Sequence, residues 1–141
     1  MLEQDLNVLL ASSFSFAVQA QRYHWNVMSM HFYAHHEFYQ EIYEDVYDHV
    51  DIIAESIRSL GKFPVGTLSE FAELSQISEE EEIVTDCPTQ LAMLAKSNDV
   101  ILRIIKIAMT SAKEAGAEDV LDLLVNRQRA HKKHGWMINA H

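Results

Sequence analysis

The chain has 141 residues, 48% of them hydrophobic, and a formal net charge of −10. This charge opposes binding to nucleic acid, which depends on contacts to phosphate. Cys87 is the only cysteine, which excludes an intrachain disulfide and fits a reducing compartment. No run reaches the ~18 apolar residues of a membrane span, and residues 6–20 lack the cationic start of a signal peptide. We therefore expect a soluble, cytoplasmic protein that forms one domain over residues 1–141.

Two long helices are predicted in the first half of the chain. The first runs from about Glu3 to Met28, because apolar residues recur along it at helical spacing. The second runs from about Phe32 to Leu60 and ends where Gly61 interrupts the pattern. Both patterns are typical of helices that bury one face in a bundle.

The second half begins with a short helix at Thr67, where Thr67 and Glu70 have the spacing of a capping box. An acidic connector over residues 75–87 follows, and we expect it to be a solvated loop. A third long helix is predicted from near Pro88, a favoured first-turn residue, to near Gly116.

The fourth long helix carries Val120 and continues to the end of the sequence. With no strand signal, the elements predict an all-α fold, a four-helix bundle with one long crossover and a short extra helix in the connection between the second and third helices. The fourth helix also contains the densest basic run of the chain. We interpret this run as a solvated cluster that complements the helix dipole: Arg127, Arg129, Lys132 and Lys133.

One face of the second helix is acidic along much of its length. The acids are spaced four, three, four, three and four residues apart, so their side chains project the same way. Histidines lie at the upstream end of this face, and carboxylates together with imidazoles are ligands for iron, manganese and zinc. The six acids are Glu37, Glu41, Glu44, Asp48, Asp51 and Glu55.

Asp51 and Glu55 are one turn apart and can share a cation. His36 lies 15 residues from Asp51, which is ~22 Å along a helix axis and too far for one metal centre. Either the two ends of the helix are unrelated, or they meet between different chains. Two such helices packed antiparallel about a two-fold axis near residues 43–46 would bring His36 of one chain to Asp51 and Glu55 of the other. His24 could join His36 from the same chain.

Other metal motifs are excluded by the sequence. A di-iron site inside one bundle needs Glu-x-x-His, and no glutamate here has a histidine three residues later. His36-Glu37 begins like the zinc protease motif His-Glu-x-x-His, but residue 40 is glutamine.

Four segments of the chain form a recognisable set. Counted from His24, the spacing is 12 residues to His36, 27 to Asp51 and 31 to Glu55. The segments are His24-Trp25-Asn26-Val27, His36-Glu37, Asp48-His49-Val50-Asp51-Ile52-Ile53-Ala54-Glu55 and His131-Lys132-Lys133-His134-Gly135-Trp136-Met137. The set resembles the Dps family, the mini-ferritins, over essentially the whole chain.

The resemblance implies a ferritin-like subunit that assembles into a homo-oligomer, a dodecameric shell with tetrahedral symmetry, and stores ferric mineral inside. It implies oxidation of ferrous iron at dimer interfaces, usually with hydrogen peroxide, or with O2. His24 and His36 correspond to ligands from one subunit, and Asp51 and Glu55 to ligands from its neighbour. Zinc or another divalent ion can replace iron on such ligands. Trp25 corresponds to the tryptophan thought to intercept oxidising equivalents in this family.

The remaining acids have two interpretations each. Glu37, Glu41, Glu44 and Asp48 form either a mineral-nucleating face of the shell cavity or an exposed or dimer-contact surface. By resemblance, Asp119 and Asp122 line an iron-entry pore at a three-fold axis. Acids at a helix start are also stabilising in any protein.

The sequence departs from the usual family pattern at two points, and each departure leads to an expectation. Gln40 stands where family members usually have a carboxylate, so we expect one tightly bound metal and a second that binds transiently. A basic arm before the first helix is absent, so we expect no substantial DNA binding at physiological salt. The alternative is a shell that compacts DNA or sequesters metal without efficient ferroxidase activity.

Several other histidines and tyrosines have no ligand role in this interpretation. For His131 and His134, which share a helical face, structural hydrogen bonding is preferred over metal binding. The others are expected at the surface or in interfaces, with the tyrosines at a dimer contact: His31, His35, His49, Tyr39, Tyr43 and Tyr47.

Overall fold

The computed structural model describes residues 1–141 and contains five helices and no strand. This confirms the all-α prediction of four long helices with a short helix between the second and third. The first helix ends two residues before the predicted Met28, because Val27 is already extended at φ −61° and ψ 135°. The helices are α1 Leu2–Asn26, α2 Phe32–Ser59, α3 Leu68–Leu74, α4 Cys87–Glu114 and α5 Glu118–Asn139.

Local sequence signals account for the helix ends. Gly61 and Gly116 have φ of +81° and +64°, a conformation that glycine adopts without a steric penalty. After α2, the Gly61 N–H donates to Arg58 O and the Lys62 N–H to Ile57 O, which is the Schellman pattern. At the start of α3, Thr67 and Glu70 form the predicted capping box.

Helix α1 packs against α2, α3 and α4, while α5 packs mainly against α4. The side chains between them form one contiguous hydrophobic core, and each large apolar side chain that is fully buried contributes about 1.5–3 kcal/mol. No helix of the chain combines the length and hydrophobicity needed to cross a bilayer. The largest buried side chains include Leu6, Leu10, Phe16, Tyr23, Tyr39, Ile42, Ile53, Leu94, Ile101 and Ile105.

Tyr39 belongs to this core and not to a contact with another chain. Its side chain is fully buried, and its hydroxyl lies 3.7 Å from the Cys87 Sγ. The prediction of a dimer-contact role is therefore wrong for Tyr39, because α2 turns this residue toward the bundle interior. Tyr43 and Tyr47 are half-buried against the same core.

The acidic connector is tied to α1. The Tyr23 hydroxyl donates to the Glu80 carboxylate, and the Arg22 guanidinium donates to the Glu80 backbone oxygen at 2.6 Å. The expectation of a solvated loop holds for Glu79, Glu81 and Glu82, which are exposed, but not for half-buried Glu80.

A polar network centred on Asp45 joins α2 to α5. Both carboxylate oxygens accept from the Arg127 guanidinium, at 3.2 and 2.9 Å, and one lies 2.8 Å from the His134 Nε2. Arg127 is only 3% exposed, so the prediction of a solvated basic cluster is wrong for this residue. Burial opposes ionisation of Asp45, but the hydrogen bonds from His134 and Arg127 hold its pKa well below the usual range.

The network continues to α4 through His131, which confirms the structural interpretation of this histidine. Burial, followed by the nearby Arg127 charge, lowers the pKa of His131 well below its ordinary value, so the ring is neutral. Its Nδ1 lies 2.8 Å from the Asn98 Oδ1, and its Nε2 lies 3.3 Å from an Arg127 nitrogen. These contacts place the proton on Nδ1 and the acceptor at Nε2. Gly135 leaves room for Asn98, since a Cβ there would lie 2.9 Å from the Asn98 amide nitrogen.

We predict that Arg127→Ala lowers the free energy of unfolding by about 3 kcal/mol, because it leaves the Asp45 carboxylate half-buried without its strongest partner. Denaturant unfolding at one fixed protein concentration measures the change. Arg129→Ala is the matched control, since Arg129 is exposed on the same helix, and it should change stability by less than about 0.5 kcal/mol. Equal effects of the two substitutions would contradict the assignment.

Candidate metal centre

His24 and His36 face each other across the junction of α1 and α2. The Nδ1 of His24 lies 2.6 Å from the His36 backbone oxygen, and the Nδ1 of His36 lies 2.6 Å from the His24 backbone oxygen. The two rings are stacked, with centroids 3.6 Å apart and planes inclined by 12°. The fold therefore brings together the two histidines that the sequence predicts as ligands.

These two hydrogen bonds decide which ring nitrogen is available. A backbone carbonyl oxygen only accepts, so the Nδ1 of each ring carries the proton and donates it. The lone pair of each ring is then on Nε2. Histidine ligands in metal sites are commonly oriented in this way, with one nitrogen bonded to a carbonyl and the other free for the metal.

Aromatic neighbours restrict the movement of the pair. Phe32 is stacked on His36 with centroids 5.0 Å apart, and Tyr43 meets the His24 ring edge-on at 5.3 Å. Trp25, next to His24 on α1, is 65% exposed.

Asp51 and Glu55 lie on the exposed face of α2 and have no ion-pair partner within the chain. They are 15 and 19 residues beyond His36 on the same helix, which places them ~22 Å or more away. No three histidine, cysteine, aspartate or glutamate side chains within the chain are placed to hold a metal ion. The chain by itself thus joins the two histidines but not the two carboxylates, and a site shared between chains stays a prediction.

Gln40, one turn after His36, donates from its Nε2 to the Glu44 Oε1 at 2.8 Å. Its amide nitrogen is therefore occupied, and only its neutral carbonyl oxygen is left for a cation. No negative charge is present at this position, as the sequence indicates.

The other predicted acids are exposed. Asp119 and Asp122 lie in the first two turns of α5, and nothing within the chain covers them. The upstream acids of the stripe all face solvent, with Glu44 also bonded to Gln40 as described: Glu37, Glu41, Glu44 and Asp48.

Sequence reasoning missed Asp45. It falls outside the four-three register of the acidic stripe and next to Val46, which is buried. A carboxylate at the border between the apolar and the polar face of a helix is partly buried and needs a partner. The location of Asp45 at this border was the feature of the sequence that could have identified it. The partner, Arg127, lies 82 residues away, which the sequence alone does not reveal.

A second group of histidines lies at the start of α2. The His35 ring is 6.3 Å from the His31 ring and 5.4 Å from the His141 ring, measured between centroids. Burial, followed by the imidazoles of His141 and His31, lowers the pKa of His35. The sequence gives no reason to expect His141 beside α2.

The sequence profile of the Ferritin-like domain family matches residues 3–141. DNA protection during starvation protein 2 of Bacillus anthracis is 31% identical to the chain over 118 residues, which cover 84% of this chain and 80% of that protein. The chain belongs to the Dps branch of the ferritin-like family.

Two further relatives extend this finding. A nutrient stress-induced DNA-binding protein of Nostoc is 32% identical over 113 residues, covering 80% of this chain and 61% of that protein. A crystal structure of the Vibrio cholerae O1 Dps protein, described as a ferritin-like diiron-carboxylate protein, superposes with a TM-score of 0.93. It is 29% identical and covers 99% of this chain and 87% of the other. Membership in this branch supports an iron-storage role.

We predict that His36→Ala leaves the His24 ring in place, because the group that accepts its Nδ1 proton is the backbone oxygen of residue 36 and survives the substitution. A crystal structure of the variant tests this, with His49→Ala as a control that alters a histidine away from the pair. A His24 ring that swings out of reach of that oxygen would show that stacking, and not the hydrogen bond, orients it.

Proposed function

We propose that the chain is a mini-ferritin that oxidises Fe(II) with hydrogen peroxide at sites shared between two copies, and stores ferric mineral inside a dodecameric shell. The observation that carries the proposal is the His24–His36 pair. Two locked imidazoles with free Nε2 atoms form half of an iron ligand set, in a chain of the Dps branch.

A second copy supplies the other half. If two α2 helices pack antiparallel about a two-fold axis near residues 43–46, Asp51 and Glu55 of one copy come to His24 and His36 of the other. Such an isologous contact creates two equivalent sites. The lack of intrachain ion pairs for Asp51 and Glu55 supports this arrangement, because both carboxylates remain available to a cation.

Iron is the substrate at these sites. Two Fe²⁺ give one electron each to hydrogen peroxide, so that two Fe²⁺, one peroxide and two protons yield two Fe³⁺ and two waters. A two-electron step releases no hydroxyl radical. Imidazole and carboxylate together also accept zinc or another divalent ion, which would occupy the same ligands. Trp25, exposed beside His24, is positioned to intercept oxidising equivalents that escape.

Iron storage requires an acidic inner surface of the shell and a channel through which iron enters. We assign nucleation of ferric mineral to the exposed upstream part of the α2 stripe, since clustered carboxylates attract Fe³⁺. We assign iron entry to Asp119 and Asp122 at the exposed start of α5. The stripe residues concerned are Glu37, Glu41, Glu44 and Asp48.

A DNA-compacting shell, or one that sequesters metal without efficient ferroxidase activity, is the second candidate, because relatives are named for DNA protection and DNA binding. The net charge of −10 opposes a role that depends on phosphate contacts. A gel shift at about 150 mM salt separates the DNA-compacting candidate from the first, and we expect no complex under those conditions.

We predict that Asp51→Ala combined with Glu55→Ala slows peroxide-dependent Fe²⁺ oxidation by roughly 100-fold or more, since outer-shell changes alone cost about 10- to 100-fold at metal sites. Anaerobic ferrous titration with peroxide, followed optically, measures the rate and the two-to-one stoichiometry. Asp48→Ala, one turn earlier on the same exposed face, is the matched control and should oxidise iron normally. Particle mass should correspond to a dodecamer in all three proteins, and a monomer would overturn the shared site.

We predict that Gln40→Glu strengthens binding of the second metal ion. The new carboxylate lies one turn from His36 and next to Glu44, so the two acids repel one another unless a cation lies between them. Calorimetric metal titration should show one tight ion per site in the parent protein and two in the variant. Glu44→Gln is the control, because it removes a charge beside residue 40 without adding one. Two full-occupancy ions in the parent protein would contradict the role assigned to Gln40.

A further inference from the structure

Three histidines from distant parts of the chain meet at the start of α2. His31 is the residue before α2, His35 is one turn later, and His141 follows α5. The His141 ring packs against Phe38 with centroids 4.6 Å apart, which holds it beside His35. None of the three belongs to the proposed iron site.

The ring separations are those of imidazoles that share an ion. A metal lies ~2.0–2.1 Å from each imidazole nitrogen, so two rings on one tetrahedral ion have centroids ~5 Å apart. His35 and His141 are at 5.4 Å, and His31 and His35 are at 6.3 Å. The three nitrogens do not yet converge on one point. Metal binding would require the exposed His31 ring, which makes no capping hydrogen bond to α2, to rotate toward His35.

A hydrogen bond to a backbone oxygen fixes the available nitrogen of His141, and a hydrogen bond to a serine orients His35. The His141 Nδ1 lies 2.8 Å from the Met137 backbone oxygen. That oxygen only accepts, so the lone pair of His141 is on Nε2. The His35 Nδ1 lies 2.8 Å from the Ser29 Oγ, which also accepts the His31 backbone N–H at 3.2 Å. Bonds of this kind orient histidine ligands in metal sites.

We propose that His31, His35 and His141 form a second metal site that binds a divalent transition ion of the zinc and copper type, with water as the fourth ligand. Three imidazoles and no carboxylate exclude calcium and magnesium, which take oxygen ligands. The same donor set favours Cu²⁺ and Zn²⁺ over Fe²⁺ in the general affinity order. The site therefore selects different ions from the carboxylate-containing site of the proposed function.

The surrounding helix ends do not prevent cation binding. The positive end of α2 opposes a cation near His31, and the negative end of α5, which ends at Asn139 just before His141, offsets it. An ion in this place would tie the segment after α5 to the first turns of α2. His36 is the next residue after His35, so the ion would also stiffen the helix that carries the iron ligand.

Isothermal titration calorimetry of the assembled protein with Zn²⁺ tests the site. We expect His35→Ala to lose one Zn²⁺ per chain relative to the parent protein, and His141→Ala to weaken the same equivalent at least tenfold. His49→Ala, a half-buried histidine on α2 outside the group, should bind as the parent does. In a variant with His24→Ala and His36→Ala, electron paramagnetic resonance of bound Cu²⁺ should show nitrogen ligands, and these should disappear when His35→Ala is added.

A variant with His24→Ala and His36→Ala separates this site from the iron site. It should retain the Zn²⁺ equivalent that depends on His35, whatever happens to iron oxidation. His141 is exposed, so its substitution leaves the fold intact, and circular dichroism checks this. The proposal is overturned if His35→Ala and His141→Ala bind Zn²⁺ with the number and affinity of the parent, or if all Zn²⁺ binding depends on His24 and His36.

Discussion

The ion pair between Asp45 and Arg127 is the constraint on which the arrangement of the bundle depends. Helix α2 packs mainly on α1, and α5 mainly on α4, and the Asp45 carboxylate joins α2 to α5 through Arg127 and His134. Removing one partner leaves a poorly solvated charge, which strongly favours the paired arrangement. With Asp45 turned inward, the rotation of α2 is set, and the acidic stripe must face outward.

The rotation of α2 about its own axis also positions the proposed metal ligands. His36 emerges toward α1, where the His24 backbone oxygen accepts the proton of the His36 Nδ1. The His36 backbone oxygen in turn accepts the proton of the His24 Nδ1. Each histidine is held by main chain, so the pair is prepared before any metal arrives, and little entropy remains to be lost on binding. The carboxylates at the other end of α2 have no such support within the chain. In the proposed dimer, one rigid helix therefore serves two sites, which couples iron chemistry to assembly.

Local signals explain why so much of the fold could be predicted. The apolar spacing of α1 and α2, the glycines at 61 and 116 and the Thr67–Glu70 capping box all act within a few residues, and each is present in the structure. His24 and His36 could be paired from their resemblance to the Dps family. Tyr39 and Arg127 could not be placed, because their surroundings are built by residues far away in sequence. A tyrosine or arginine is compatible with either an exposed or a buried position until its partners are known.

The sequence by itself determined the helices and the acidic face of α2, since these follow from helical periodicity and residue chemistry. Its resemblance to the Dps family supplied the predicted ligand residues. Only the tertiary structure decided which polar groups are buried together. It joined Asp45 to Arg127 across 82 residues, locked the tautomers of His24 and His36 and brought His141 beside His35. The physical reason is that hydrogen-bond partners are chosen by three-dimensional packing, and a buried polar group must find its partner wherever the chain places one.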